Sequence, residues 1–336
     1  MKAPKKITIK QVVDAMMDAN TPLHPSYLYR LSDLDTPDLA VIKKAWSDIP
    51  AWRRQEIMEA VVDLGEDDYV LSFEAFARQG SQDDEARIRE LSVRALWEYE
   101  SPDLVPDFIQ ILRYDPDAEV RAVAATALGK YVFLGEIEEL PVTTLRAIED
   151  ELLLVTRSSD TTLVRRRALE SLGYSSRGEV PPLIDEAYYS GSTEWLVSAL
   201  FAMGVSANKD WNPLVLSQLV SDNVEVLQEA IKAAGELEIH ESVARLIDLL
   251  SSDDSDLRMA SAWSLSQIGG EGVREALENL YEEVEDDEEA DYIESALENL
   301  DFTEDVALFD LMDVDEEGED EEFDDELIDL DSEEGN

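Results

Sequence analysis

Cysteine is absent from the sequence, and histidine occurs twice, at His24 and His240. The first absence removes disulfides, thiolate metal sites and thiol nucleophiles, and it suits a reducing, cytoplasmic setting. The second leaves no way to specify a Ser-His-Asp set. Helix breakers are scarce, with 14 glycines and 12 prolines in 336 residues, while Leu, Ala and Glu dominate, so the expected class is all-α. No glycine-rich phosphate loop occurs. No stretch approaches the roughly 18 apolar residues of a membrane span. The lysine-bearing start, Met1 to Lys10, runs into Val12-Val13-Asp14 rather than an apolar core, so no signal peptide is expected.

Positive charge is also in short supply. The chain carries 27 basic and 79 acidic residues, a net charge of −52. No Lys or Arg follows Arg274, and 31 acids lie beyond it, which leaves −21 on the first 274 residues. A field of that sign repels phosphate backbones and anionic membrane surfaces, so neither nucleic acid nor membrane is an expected partner. A protein is, and a basic patch is the electrostatically compatible surface for it to offer.

What the sequence does contain is a repeated ten-residue pattern: apolar, Arg, two variable, small, two variable, small, apolar, Gly. Val120-Arg121 leads through Ala124, Ala127 and Leu128 to Gly129, and Val164-Arg165 through Ala168, Ser171 and Leu172 to Gly173. Related copies start at Ile88-Arg89, Trp195, Val226 and Leu257-Arg258, with Trp52-Arg53 as a degenerate first copy. The second position falls at 53, 89, 121, 165, 196, 227 and 258, the last four spaced by 31 residues, and such a period marks stacked supersecondary units. The one long interval, 121 to 165, holds an insertion around Tyr131 to Leu140. Positions 1, 5, 8 and 9 cluster on one side of a 3.6-residue helix, and position 6 widens that apolar face. Small residues at 5 and 8 would let helices of adjacent repeats approach closely. Between motifs lie further amphipathic stretches, at Leu104–Arg113, Val142–Thr156, Pro182–Tyr189, Pro213–Val220, Ser242–Leu250 and Val273–Val284. Asp115-Pro116 and Thr36-Pro37 read as N-caps before proline. Glu85/Arg89, Asp117/Arg121 and Asp254/Arg258 read as pairs four residues apart.

From about Pro50 to Leu300 this signature resembles HEAT repeats, specifically the short-period class named after phycobilisome lyases. The resemblance implies an α-solenoid of stacked helix pairs and says little about function, because such repeats serve many tasks. A di-iron hydroxylase family on the same repeats builds its site from several His-Glu pairs. This sequence offers one, His240-Glu241, which cannot assemble a dinuclear centre, and His240 reads as a helix-start residue.

Three segments follow: an N-terminal helical cap at 1–49, with helices at Ile9–Asp18 and Pro37–Trp46; the repeat solenoid at 50–300, with a last helix at Ala290–Leu300; and a disordered acidic tail at 301–336. The tail holds 19 acids and no base, a composition that cannot form a core. It also keeps Phe302, Leu308-Phe309, Leu311-Met312, Phe323 and Leu327-Ile328-Asp329-Leu330, and reads either as a solubilising tail or as a motif that orders in a basic, apolar groove. Asp313, Asp315, Glu317 and Gly318 copy the start of an EF-hand loop, but Asp324 stands at its twelfth position and Asp320 where an apolar anchor belongs, so no metal is expected.

Candidate binding residues come from motif positions 3 and 7, one turn apart and opposite the core stripe. They read Glu90/Arg94, Ala122/Thr126, Arg166/Glu170, Val197/Phe201, Gln228/Lys232 and Met259/Trp263. Val197, Phe201, Met259 and Trp263 are either exposed anchors of a binding face or packed under a neighbouring helix. In the run Arg165-Arg166-Arg167, Arg165 takes the repeat's arginine position, while Arg166 and Arg167 can pair with Glu170 or offer a patch to an acidic partner. The expected function is a non-enzymatic scaffold or adaptor that binds a protein on one solenoid face, with no catalytic residues, cofactor or metal. The alternative is a chromophore-lyase-like or chaperone-like factor acting on a cofactor-bearing or basic client.

Overall fold

The computed structural model describes residues 7–316 other than 69, with side chains as far as 304. Among the described residues the regular structure is helical, without strands, and the fold is an α-solenoid of HEAT-like helix pairs. The chain divides into two units, Met1–Leu237 and Glu238–Asn336. The first holds α1 (Ile9–Met17), α2 (Pro25–Leu28), α3 (Thr36–Ala45), α4 (Ala51–Asp67), α5 (Glu74–Gly80), α6 (Ala86–Trp97), α7 (Val105–Tyr114), α8 (Ala118–Glu136), α9 (Val142–Thr156), α10 (Thr162–Leu172), α11 (Val180–Tyr188), α12 (Thr193–Val205), α13 (Asn212–Gln218) and α14 (Val224–Glu236). The second holds α15 (Val243–Leu249), α16 (Ser255–Ile268), α17 (Val273–Glu283) and α18 (Asp287–Glu316).

The motif helices are the even-numbered ones from α4 to α16. In the first unit α4, α6, α8, α10 and α12 each pack on the next motif helix, and α6, α8, α10, α12 and α14 each pack on the helix just before them; in the second unit α16 packs on α15 and α18. The sequence dictates this face. Small residues at position 5 (Ser92, Ala124, Ala168, Ala199, Ala230, Ser261) and apolar ones at position 6 (Val93, Ala125, Leu169, Leu200, Ile231, Ala262) are all buried. Close approach depends on position 10 as well. A Cβ added to Gly173 would stand 2.7 Å from the Cα of Ala202, and one added to Gly204 would stand 3.0 Å from the Cα of Ala233. Glycine on one helix therefore meets the small residue at position 8 on the next.

The motif arginines set the turns. Arg89, Arg121 and Arg258 do not bond through their side chains to the acid four residues before them; they reach from one repeat to the next. Arg89 donates from Nη1 to the carbonyls of Asp83 and Asp84 in its own turn, at 2.9 and 3.0 Å, and grips Asp115 of the next turn at 2.7 and 2.8 Å. Arg121 donates to the carbonyl of Asp115 at 2.7 Å and grips Asp160 at 2.9 and 2.6 Å. In the second unit Arg258 donates to the Ser252 carbonyl at 2.8 Å and to Glu289 at 2.7 and 2.8 Å. Asp115 is thus a bridging acid, and the N-cap of α8 is Asp117, whose side chain accepts from Glu119 N–H. Thr36 is likewise the first residue of α3, capped by Asp35. The degenerate first copy sits one residue later than the spacing suggests. Arg54, not Arg53, pairs with Asp83 at 3.0 Å, and Trp46 Nε1 donates to the same carboxylate at 2.6 Å. Trp52 is correspondingly 52% exposed, while Arg53 turns to the carbonyls of Asp18 and Thr21 at 2.9 and 2.6 Å.

The insertion at 131–140 lengthens α8 to 19 residues rather than forming a separate loop. In the N-terminal segment α1 packs on α3, α2 on α4 and α3 on α5. At the other end, the boundary expected at 301 falls inside α18. Arg274 donates to Asp301 and Glu304 at 2.7 and 2.6 Å, and the Thr303 hydroxyl donates to the Ser266 carbonyl at 3.0 Å. The remaining tail, 317–336, with Phe323, Leu327 to Leu330 and the end of the EF-hand-like run, lies outside the described residues.

Two outcomes are expected. Gly173→Ala drives its methyl into the backbone of α12 and lowers unfolding free energy by about 1–3 kcal/mol, whereas Gly178→Ala, with nothing within 4 Å of its new Cβ, stays within about 0.5 kcal/mol; chemical denaturation measures both. Arg121's hydrogen bonds hold the Asp160 carboxyl below its ordinary range. Its contribution is present above the unfolded carboxyl's pKa and is lost as pH falls through the depressed folded value. Asp160→Asn therefore costs about 1.5–3 kcal/mol at neutral pH, and denaturation at a series of pH values shows that deficit narrowing toward acid.

Candidate partner-binding groove

The first unit carries a groove of about 510 Å³ across α6, α8, α10 and α12. Its floor is small because positions 7 and 8 are Thr126, Ala127 and Ser171, and its walls are aromatic: Trp97, Phe133, Tyr174 and Phe201. Phe133 and Tyr174 meet edge to face at 5.9 Å. Phe133 is there because α8 is long; the insertion carries the helix beyond the motif and leaves this ring 46% exposed. Glu98, Lys130 and Tyr174 sit at position 11, one turn past position 7, so the stripe 7–11 continues the stripe 3–7 along the same face.

Charges in the groove are arranged in short pairs. Lys130 Nζ donates to the Glu98 carbonyl at 2.8 Å and lies 3.4 Å from the Glu100 carboxylate. Arg167 donates to buried Glu170 at 2.5 Å, and Ser198 donates to the same carboxylate at 2.6 Å. Arg166 is held by Ser198 Oγ at 2.8 Å, joining α10 to α12. Arg94, at position 7 of α6, stacks on Trp97 at 5.5 Å, and its buried Nε has no hydrogen-bond partner among the described residues. Burial raises the Tyr174 phenol, which stays a protonated donor at neutral pH. Burial likewise raises the Glu229 carboxyl at position 4 of α14; Lys232 and Arg167 oppose that shift, and Glu170 adds to it.

Of the residues singled out from sequence, Phe201 and Arg167 line this groove. Val197 is half-buried on α12, outside the lining, and Arg166 is engaged between helices. Met259 and Trp263 belong to the second unit, where Met259 is half-buried and Trp263, 36% exposed, packs against Tyr292 at 6.1 Å. Trp97, Lys130, Phe133 and Tyr174 were not on the sequence-derived stripe. Extending its period by one turn reaches Lys130 and Tyr174; nothing in the repeat alone reaches Phe133. His240 begins a short 3-10 turn, His240–Ser242, ahead of α15. Among the described residues, no helix is long and apolar enough to cross a membrane.

A HEAT-repeat family profile matches residues 74–172 and 212–301, more than half of the chain, and the protein belongs to the HEAT-repeat family. Solved structures similar to it include YibA of E. coli, at 16% identity and TM-score 0.39, covering 90% of this chain and 99% of that one. The CpcE–CpcF complex of phycocyanin lyase from Nostoc aligns at 20% identity and TM-score 0.45, covering 68% and 94%. Yeast importin-β aligns at 12% identity and TM-score 0.47, covering 87% and 46%. These likenesses concern the repeat fold alone. No curated protein sequence matches.

Glu229 gives this face a pH signature. A carboxyl whose folded pKa is raised costs stability above that pKa and none below the unfolded one. Glu229→Gln is therefore expected to raise the melting temperature at neutral pH, and the gain disappears as the medium is acidified.

Proposed function

We propose that this chain is a non-enzymatic scaffold whose groove in the first unit captures a segment of a protein partner. The observation that carries the reading is the aromatic-walled cavity of about 510 Å³ on helices held in register by the repeat. Clustered aromatics beside an arginine are the composition of binding hot spots. The groove suits an apolar side chain, with a polar or cationic neighbour opposite Glu98. The chain's net charge of −52 favours partners that present basic surface around that anchor. The lack of cysteine fits work in the cytoplasm.

The test is selection of peptides from a displayed library against the full chain, followed by affinity measurement. Phe201→Asp places a carboxylate in the groove and is expected to weaken the selected peptides by about 2 kcal/mol or more, the size of a lost hot spot, with circular dichroism unchanged. Peptides that bind this variant and the native chain equally would place the capture site elsewhere.

A further inference from the structure

Three turns of the first unit hold a carboxylate between a turn N–H and an arginine. Asp83 accepts from Glu85 N–H at 2.9 Å and pairs with Arg54. Asp115 accepts from Asp117 N–H at 2.9 Å and pairs with Arg89. Asp160 accepts from Thr161 N–H at 2.7 Å and pairs with Arg121. In the turn before α12 the backbone bond survives without the carboxylate: Ser190 Oγ accepts from Ser192 N–H at 3.2 Å. Before α14, Ser221 does the same for Asn223 N–H at 3.2 Å, but there the preceding motif helix carries Leu196 in place of arginine, so nothing is left over. Arg165 is the exception, a motif arginine whose next turn offers a serine.

Arg165 uses Nε for the Thr156 carbonyl at 2.9 Å and stacks on Trp195 at 5.3 Å. Among the described residues no carboxylate pairs with it, or with exposed Arg157 beside it. Both guanidiniums border a cavity of about 290 Å³ that also exposes Ser190 and Trp195. Glu186 shares the wall without an ion pair among the described residues, so the lining carries two positive charges and one negative. In a chain of net charge −52, a wall on which two arginines outnumber one carboxylate is a local inversion of sign. A guanidinium fork presents parallel donors that match a carboxylate or phosphate edge.

We propose that this cavity is an oxyanion site, in which a ligand's carboxylate or phosphate group takes the place that Asp115 and Asp160 fill in the intact turns. The cavity is larger than one carboxylate needs, and the Trp195 ring offers a flat wall to the body of the ligand. Long-range repulsion from the acidic chain is screened within about 8 Å at physiological ionic strength, so the two guanidiniums dominate at contact.

The experiment titrates the full chain with inorganic phosphate and, separately, with succinate, following the Arg165 Nε–Hε resonance, assigned by its loss in Arg165→Lys. A saturable shift with either probe is expected. Succinate alone would identify the group as a carboxylate, phosphate alone as a phosphate, and both as an oxyanion of either kind. Arg157→Gln should weaken the interaction. Ser190→Asp should restore the missing carboxylate, raise the melting temperature and reduce probe affinity more than about tenfold, the loss of roughly one charge-assisted pair. No saturable shift with either probe, or an unaltered titration in Ser190→Asp, would overturn the proposal and leave Trp195 as the sole closure of that turn.

Discussion

Asp115 holds the repeat together at the point where three chain segments meet. Its carboxylate takes the fork of Arg89 from the previous motif helix, its backbone carbonyl takes a donor from Arg121 of its own repeat, and its Oδ1 also satisfies the N–H of Asp117. A guanidinium is suited to this because its five donors lie in one plane and stay charged at any physiological pH. Each such arginine answers two demands at once. The turn just before a motif helix leaves carbonyls without helical partners, and the half-buried acid of the next turn needs a cation. Remove either side and the other is left partly desolvated and unpaired, which is why these turns repeat with so little variation from α6 to α10.

The groove depends on that register. With the turns pinned at one edge and glycine meeting small residues at positions 10 and 8, successive motif helices approach closely along their buried stripe. The opposite stripe then opens where positions 7 and 8 are small and is walled where position 10, 11 or the extension of α8 supplies an aromatic ring. Glu170 lies between the two regimes: buried, yet bonded to Arg167 and Ser198, it carries a polar contact from α10 to α12 under the groove. The buried pairings at the turns and the mixed lining of the groove therefore belong to one stack of helices, read from two sides.

Much of the fold was legible because the repeat forces a 3.6-residue period and because small residues can be buried at positions 5 and 8 only if helices nearly touch. The stretch Val142–Thr156 read from sequence coincides with α9, and Val273–Val284 overshoots α17 by one residue. The errors were of two kinds. Local pairing rules assigned Arg89, Arg121 and Arg258 to acids on their own helices, since a sequence displays four-residue spacing and hides a neighbour 26 or 39 residues away. The last helix was expected to end at Leu300, whereas α18 runs on to Glu316 and Arg274, the last basic residue of the chain, holds its Asp301 and Glu304. For the groove, Phe201 and Arg167 were visible from motif position, but Phe133 and Tyr174 are brought together only by the extra length of α8, which no periodicity encodes.

The direct test of the account is a pair of double-mutant cycles on the full chain, Arg121→Gln with Asp160→Asn and Arg121→Gln with Asp117→Asn, measured by chemical denaturation at neutral pH. If the arginines bind between repeats, Arg121 and Asp160 couple by about 1–3 kcal/mol, while Arg121 and Asp117 couple by no more than the roughly 0.3–0.5 kcal/mol of an exposed pair four residues apart. Equal coupling in the two cycles, or a larger value for Asp117, would contradict it and return the arginines to their own helices.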